Sequence, residues 1–131
     1  MRAIEVRQTS GTFADPGPGA AWLRARVPLV EGEEPSPFQR AAVVADSGSG
    51  VRQGVDHRRW LAINVELTLS VHRDPVGEWI HLDSNTVVGA EGTGRTDTVL
   101  GDPEGEFARA IQTLLVAPVS PVRPGSVTLL P

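Results

Sequence analysis

The sequence predicts an α+β fold in which an antiparallel sheet wraps around one central helix. Three features carry that reading: a long alternating stretch beginning at Trp60, an almost wholly apolar helical segment just upstream, and glycine-marked turns between the strands that follow. Leu61, Ile63, Val65, Leu67, Leu69 and Val71 alternate with Ala62, Asn64, Glu66, Thr68, Ser70 and His72. Period two marks a long strand with one buried face. His72-Arg73-Asp74-Pro75-Val76-Gly77-Glu78-Trp79 then reads as a turn, with Pro and Gly at its centre, and Trp79 to Val88 as the strand that returns.

The other elements follow from the same signals. Residues 2–8 alternate and read as a short strand, and Thr9 to Ala20 is a loop broken by Gly11, Pro16, Gly17, Pro18 and Gly19. Ala21 to Val27 alternates again, with Ala21, Leu23, Ala25 and Val27 on one face. Residues 28–35 connect, acidic at Glu31, Glu33 and Glu34. Ser36-Pro37 is an N-cap followed by proline at the first helical position. The helix runs through Phe38-Gln39-Arg40-Ala41-Ala42-Val43-Val44-Ala45 to Asp46 and lacks a polar face after its first turn, which predicts burial all round. Ser47-Gly48-Ser49-Gly50 ends it, and residues 51–59 form an Arg-rich polar loop. Gly89 and Gly92 mark one later turn and Gly101 to Gly105 the next. The last strand, Glu106 to Ala117, sets Ala108, Ala110, Gln112, Leu114 and Val116 on one face. Residues 1–118 thus form a single domain, and 119–131 a Pro-rich tail expected to be extended or poorly ordered. Strand, strand, buried helix and four strands is the order of the hot-dog architecture; the runner-up is another α+β fold with its helix on one sheet face.

Composition excludes several chemistries. The 131 residues suffice for one core. There is no Cys, which removes disulfides, thiolate metal sites and cysteine nucleophiles, and suits a reducing, cytoplasmic compartment. All 12 basic residues are Arg, with no Lys and no Tyr, so lysine Schiff-base chemistry and a tyrosine acid are out; we read the bias as that of a GC-rich, bacterial genome. A net charge of −4 argues against non-specific nucleic-acid binding. No apolar run is long enough for a membrane span, and the charged, alternating start is not a signal peptide.

Three residues stand out as candidates for chemistry. Asp46 closes an apolar helix, where the macrodipole and partial burial both disfavour its charge; the plainer reading is a solvated Asp at a loop start. Gln112 sits on the apolar parity of the last strand, where an amide needs partners; the plainer reading is a bond to nearby backbone. Asn64 lies near the start of the long strand on its polar parity, and only a bulge, which the sequence does not reveal, would turn it inward. His81 and Asp83 share a strand face and could ligate a metal, but two ligands make no site, and we expect none. Arg52, Arg58, Arg59, Arg73 and Arg95 could meet phosphates, although scattered arginines are normally solvated. There is no G-x-S-x-G elbow, and Gly92-Thr93-Gly94 lacks the strand and helix of a dinucleotide loop.

The run Pro35-Ser36-Pro37-Phe38-Gln39-Arg40, the helix end Ala45-Asp46-Ser47-Gly48-Ser49-Gly50 and the segment His72 to Trp79 resemble the thioesterase-like acyl-CoA hydrolases. They look most like the C-terminal hot-dog domain of bacterial type II acyl-CoA thioesterases, over roughly Trp22 to Pro118. The resemblance implies that Asp46, a polar residue early in the following strand and Gln112 hold an attacking water. Asn64 falls where those enzymes carry Thr, and so offers an amide in place of a hydroxyl. It also implies an acyl-CoA substrate, with coenzyme A as part of that substrate and no separate cofactor. Finally it implies pairing, as a homodimer or with another hot-dog domain, because the chain matches one half of a double hot-dog protein. The alternative is a non-catalytic hot-dog module. A hydratase ranks lower, since no Asp-x-x-x-x-His pattern follows from Asp46.

Overall fold

The computed structural model describes residues 3–11, 17–51 and 54–119. Eight elements run in the order β1 (Ile4–Ser10), β2 (Gly19–Ala25), α1 (Pro37–Ala45), α2 (Gly48–Val51), β3 (Trp60–Val71), β4 (Ile80–Val88), β5 (Thr93–Asp102) and β6 (Gly105–Pro118). The strands form one six-stranded sheet in the order β1-β2-β4-β5-β6-β3, with every neighbouring pair antiparallel. The sheet wraps: Ile4 on one edge strand and Leu67, Leu69 and Val71 on the other all pack against the cluster that contains Ala41, Val44 and Ala45 of α1. The expected α+β architecture is therefore present. The tail expected over 119–131 falls, beyond Val119, outside the described residues.

Helix α1 begins as its sequence dictates. Ser36 Oγ accepts the Gln39 N–H at 3.1 Å, and Gln39 Oε1 accepts the Ser36 N–H at 2.8 Å, a complete capping box with Pro37 at the first position. Burial departs from expectation. Ala41, Val44 and Ala45 are buried, but Ala42 and Val43 are half-buried and Phe38 is exposed, so the helix buries one face only. The reason is the sheet's extent: it covers the side of α1 that meets β2 and β4 and leaves the rest open. The glycine-rich run that follows is also more than a stop, since Gly48–Val51 turns into the short helix α2, with Val51 buried in the core.

The larger correction concerns β3. Asn64 pairs with Leu114 and Glu66 with Thr113, leaving Val65 as an extra, unpaired residue. A bulge of this kind swaps the faces of the strand on either side of it. Leu67, Leu69 and Val71 face the core opposite Gln112, Ala110 and Ala108. Leu61 and Ile63 instead lie on the outer face with Ala117 and Leu115, and both are exposed, as is Val65. The six alternating apolar residues therefore do not share one face. The same shift puts Trp60, Ala62 and Asn64 on the inner face.

The turn between β3 and β4 is locked from beneath. Asp102, at the end of β5, has a fully buried carboxylate. Each of its oxygens takes one guanidinium bond from Arg73, at 2.6 and 2.9 Å, and one backbone N–H, from Val76 at 2.7 Å or Glu104 at 2.8 Å. The Arg73 bonds, with help from the two backbone donors, hold the Asp102 carboxyl well below the usual carboxylate range against the opposing effect of burial. Gly77, at φ +77°, lets the turn reverse. Glu78 then pairs with Arg24 at 3.3 Å, and Trp79 lies within 4.2 Å of the Arg7 guanidinium and 4.8 Å of that of Arg24. The His72 to Trp79 segment is thus a clamp between hairpins, and Arg73 is paired, not free for phosphate.

Candidate active site

Three side chains from distant parts of the chain meet where α1 ends. Asp46 caps the helix in αR conformation (φ −62°, ψ −22°), and its Oδ1 accepts the Asn64 Nδ2–H at 2.8 Å. The bulge at Val65 makes this bond possible, because without it Asn64 would stand on the outer face. Gln112, fully buried on β6, donates from Nε2 to the Asp46 backbone carbonyl at 3.0 Å and accepts the Ser49 N–H at Oε1, at 2.8 Å. Its amide fastens the helix end to the sheet through backbone atoms on both sides. All three sequence-derived candidates, Asp46, Asn64 and Gln112, are therefore brought together.

Their environments differ from what the sequence suggested. Asp46 is exposed, because the helix end emerges at the rim of the sheet, so the partial burial expected for it is absent. Asn64 Oδ1 is buried, and no donor reaches it among the described residues. Because one Asn64 amide N–H is committed to Asp46, the orientation of the amide is fixed, leaving the Oδ1 acceptor and one further N–H. The Ser49 N–H at the start of α2 is occupied by Gln112, so it is not a spare donor for a developing oxyanion.

A cleft of about 290 Å³ adjoins the carboxylate, with Ile4, Val6, Leu23 and Val51 as apolar wall and Asp46, Ser47 and Ser49 as its polar side. A larger cavity of about 580 Å³ lies at the far end of the sheet, between the start of β3 and the β4–β5 turn. Sequence reasoning missed Gly48. A Cβ there would stand 2.5 Å from Thr98 Oγ1 and 2.8 Å from Gln112 Oε1, so the close approach of α2 to the sheet needs glycine. The Gly-Ser composition signalled only a helix end. Behind Gly48, Ser84 Oγ and Thr98 Oγ1 bond at 3.0 Å, and Thr86 and Thr96 hydroxyls at 2.8 Å, which satisfies the buried hydroxyls. His81 contacts Thr9 Oγ1 at 3.4 Å and lies beside the Trp22 ring at 5.0 Å. Among the described residues no group of three or more His, Cys, Asp or Glu side chains is placed to hold a metal ion.

This sheet, wrapped on α1, defines a hot-dog domain. Residues 1–116 match the family described as the acyl-CoA thioesterase C-terminal domain, and the chain belongs to that family. Solved structures agree on the fold. A mutant thioesterase from Pseudomonas aeruginosa superposes with a TM-score of 0.60 at 17% identity, over 87% of this chain and 82% of that one. The tesB protein of Mycobacterium avium subs paratuberculosis gives 0.62 at 17% identity, over 89% and 49%. An acyl-CoA thioesterase II from Mycobacterium marinum gives 0.63 at 16% identity, over 90% and 50%. The chain thus spans about half the length of the last two. A search of the curated proteins finds no matching sequence. Among the described residues no helix is long and apolar enough to cross a membrane.

Proposed function

We propose that the chain hydrolyses an acyl-CoA thioester with a water molecule held by Asp46 and Asn64. The observation that carries this reading is the Asp46–Asn64 bond of 2.8 Å, which leaves the buried, donorless Asn64 Oδ1 beside a carboxylate at the edge of an apolar cleft. A water that donates one O–H to Asp46 and the other to Asn64 Oδ1 satisfies both acceptors and presents its lone pair to a carbonyl. As its oxygen bonds to the thioester carbon, its proton passes to Asp46. The tetrahedral intermediate then collapses, the C–S bond breaks, and the sulfur takes the proton back from Asp46. The products are the carboxylic acid and the coenzyme A thiol. Gln112 positions Asp46 through the backbone in this scheme, and the acyl group lies in the cleft of Ile4, Val6, Leu23 and Val51.

The same reading supports pairing through β3. It is an edge strand with an open row of backbone groups, and its outer face carries exposed Leu61, Ile63 and Val65. A homodimer or a complex with another hot-dog domain would cover both. The lack of Cys and the Arg-only basic set suit the cytoplasm of a bacterium. The deciding experiment is a panel of acyl-CoA esters of increasing chain length, assayed by thiol release with the wild type and with Asp46→Asn. Asp46-dependent turnover supports the hydrolase; no turnover from a folded chain on any ester favours the non-catalytic hot-dog module.

A further inference from the structure

The cleft beside Asp46 has two unlike walls, and a plain hydrocarbon chain matches only one of them. We propose that the cleft selects acyl chains that carry a hydroxyl on the third carbon, close to the thioester, with Ser47 and Ser49 as the residues that recognise the hydroxyl and Gly50 as the residue that leaves room for the chain. This rests on the thioester reading of Asp46 and Asn64.

Three observations lead there. First, the polar wall holds two uncommitted hydroxyls. Ile4, Val6, Leu23 and Val51 form the apolar wall, and Ser47 and Ser49 stand on the side of Asp46. Both serines are half-buried, and neither hydroxyl has a hydrogen-bond partner among the described residues. Their backbone is already engaged. The Ser47 N–H donates to Val44 O at 3.0 Å, Ser47 O accepts the N–H groups of Gly50 and Val51, each at 2.9 Å, and the Ser49 N–H donates to Gln112. The hydroxyls are therefore what this wall offers to a ligand.

Second, Gly48 and Gly50 share the four-residue helix α2 for different reasons. A Cβ at Gly48 would collide with Thr98 and Gln112, whereas a Cβ at Gly50 would meet nothing within 4 Å. Gly50 also lies outside the left-handed region that favours glycine. Glycine is a poor helix former, so neither packing nor backbone conformation accounts for it there. Gly50 lines the cleft, and its missing side chain is open space beside the two serines.

Third, the polar wall is short and lies next to the base. Consecutive Cα atoms are ~3.8 Å apart, and carbons ~1.5 Å apart put the third acyl carbon ~2.5 Å from the carbonyl carbon. A hydroxyl on that carbon is therefore within reach of the residues that directly follow Asp46. Further along, the cleft offers Ile4, Val6, Leu23 and Val51, which suit hydrocarbon. An unsubstituted chain strips water from both serines and returns no hydrogen bond. A site that bonds a substrate hydroxyl discriminates against the analogue that lacks it. Because both serines are only half-buried, the expected preference is about tenfold, the low end of that effect.

The test pairs binding with turnover. Titrate the full chain calorimetrically with S-hexyl-coenzyme A and S-(3-hydroxyhexyl)-coenzyme A, thioethers that cannot be hydrolysed, for the wild type, the double variant Ser47→Ala with Ser49→Ala, and Gly50→Leu. Measure kcat/KM on hexanoyl-CoA and 3-hydroxyhexanoyl-CoA for the same proteins. The wild type should favour the hydroxylated member of each pair by about tenfold. The double variant should abolish that preference, with the loss falling on the hydroxylated member, a split that a merely structural role would not produce. Gly50→Leu should weaken both thioethers with no fall in Tm, since its side chain enters the cleft. Equal affinity for the two thioethers in the wild type, an undiminished preference in the double variant, or wild-type binding by Gly50→Leu overturns the proposal. Turnover of both esters with no preference refutes this assignment and leaves the hydrolase standing. A serine-dependent preference in binding without turnover of either ester supports this assignment and refutes only the catalytic reading.

Discussion

Asp102→Asn is the change whose cost the structure determines best. Each carboxylate oxygen accepts one Arg73 N–H and one backbone N–H. An asparagine keeps one oxygen and turns the other into a donor, so either rotamer sets an NH₂ against a guanidinium N–H and a backbone N–H. Two hydrogen bonds are lost, and the Arg73 charge loses its counter-ion. Breaking a buried pair from one side costs ~3–5 kcal/mol. Arg73 is 29% exposed, and water will solvate part of it, so we expect ~2–4 kcal/mol. For a domain of this size that lowers Tm by about 10 °C. The pH dependence follows from the sign of the shift. The folded carboxyl titrates below its ordinary value of 3.8. Its stabilisation is complete above that ordinary value and fades as pH falls through the range below it. The gap between wild type and variant should therefore be constant from pH 7 to 5 and close only below about pH 4. Thermal and urea unfolding at pH 7, 5 and 3 provide the measurement. A variant within 1 °C of wild type at pH 7, or a gap that closes between pH 7 and 5, would refute the reasoning.

Asp46→Asn should lower acyl-CoA hydrolysis by about 10²–10⁴-fold while leaving Tm unchanged, because a carboxylate at a helix C-terminus does not stabilise that helix; steady-state thiol release with a melting curve checks both. Gln112→Ala should lose both rate and stability, about 2–4 kcal/mol, since it opens a cavity and strands the Asp46 carbonyl and the Ser49 N–H; unaltered urea unfolding would contradict its fastening role. Ala41→Leu should overpack the core by ~1–3 kcal/mol, whereas Ala42→Leu, at a half-buried position, should cost less; the difference between their midpoints tests the one-sided burial of α1. Light scattering at micromolar concentration should give twice the chain mass if β3 pairs with a second copy, and a monomer would argue against that pairing.

The helix start, the strand count and the inner face of β6 were legible because each rests on a local pattern: a capping box, period two, and glycines between strands. Gln112 was found because it broke an apolar parity. The face-flip in β3 was not legible. Apolar residues continue without a break through Val65, and the bulge follows from non-local demands: Asn64 has to meet Asp46, while Leu67 onward has to face the core cluster. The Arg73–Asp102 pair was hidden for a similar reason. Asp102 sits in Gly101-Asp102-Pro103, where it reads as turn chemistry, and its partner lies 29 residues away. The segment His72 to Trp79, one of the three that resemble the family, is held by the Arg73–Asp102 pair and the Glu78 and Trp79 contacts to Arg24.

The bulge also sets terms for anything that adds to the sheet. Val65 is the sixth residue of the twelve-residue edge strand β3, with five residues before it and six after, so the edge is divided into two segments of nearly equal length with opposite facing. A straight strand cannot follow both halves in register. A second copy running antiparallel can, because its own irregularity falls at the same midpoint and the two meet at the axis. Such an arrangement would count strand residues from the centre outward, so that an insertion on one side of Val65 misaligns the pair while one beyond Trp60 or Val71 does not. The residue that turns Asn64 toward Asp46 would then also be the origin from which partner strands are measured.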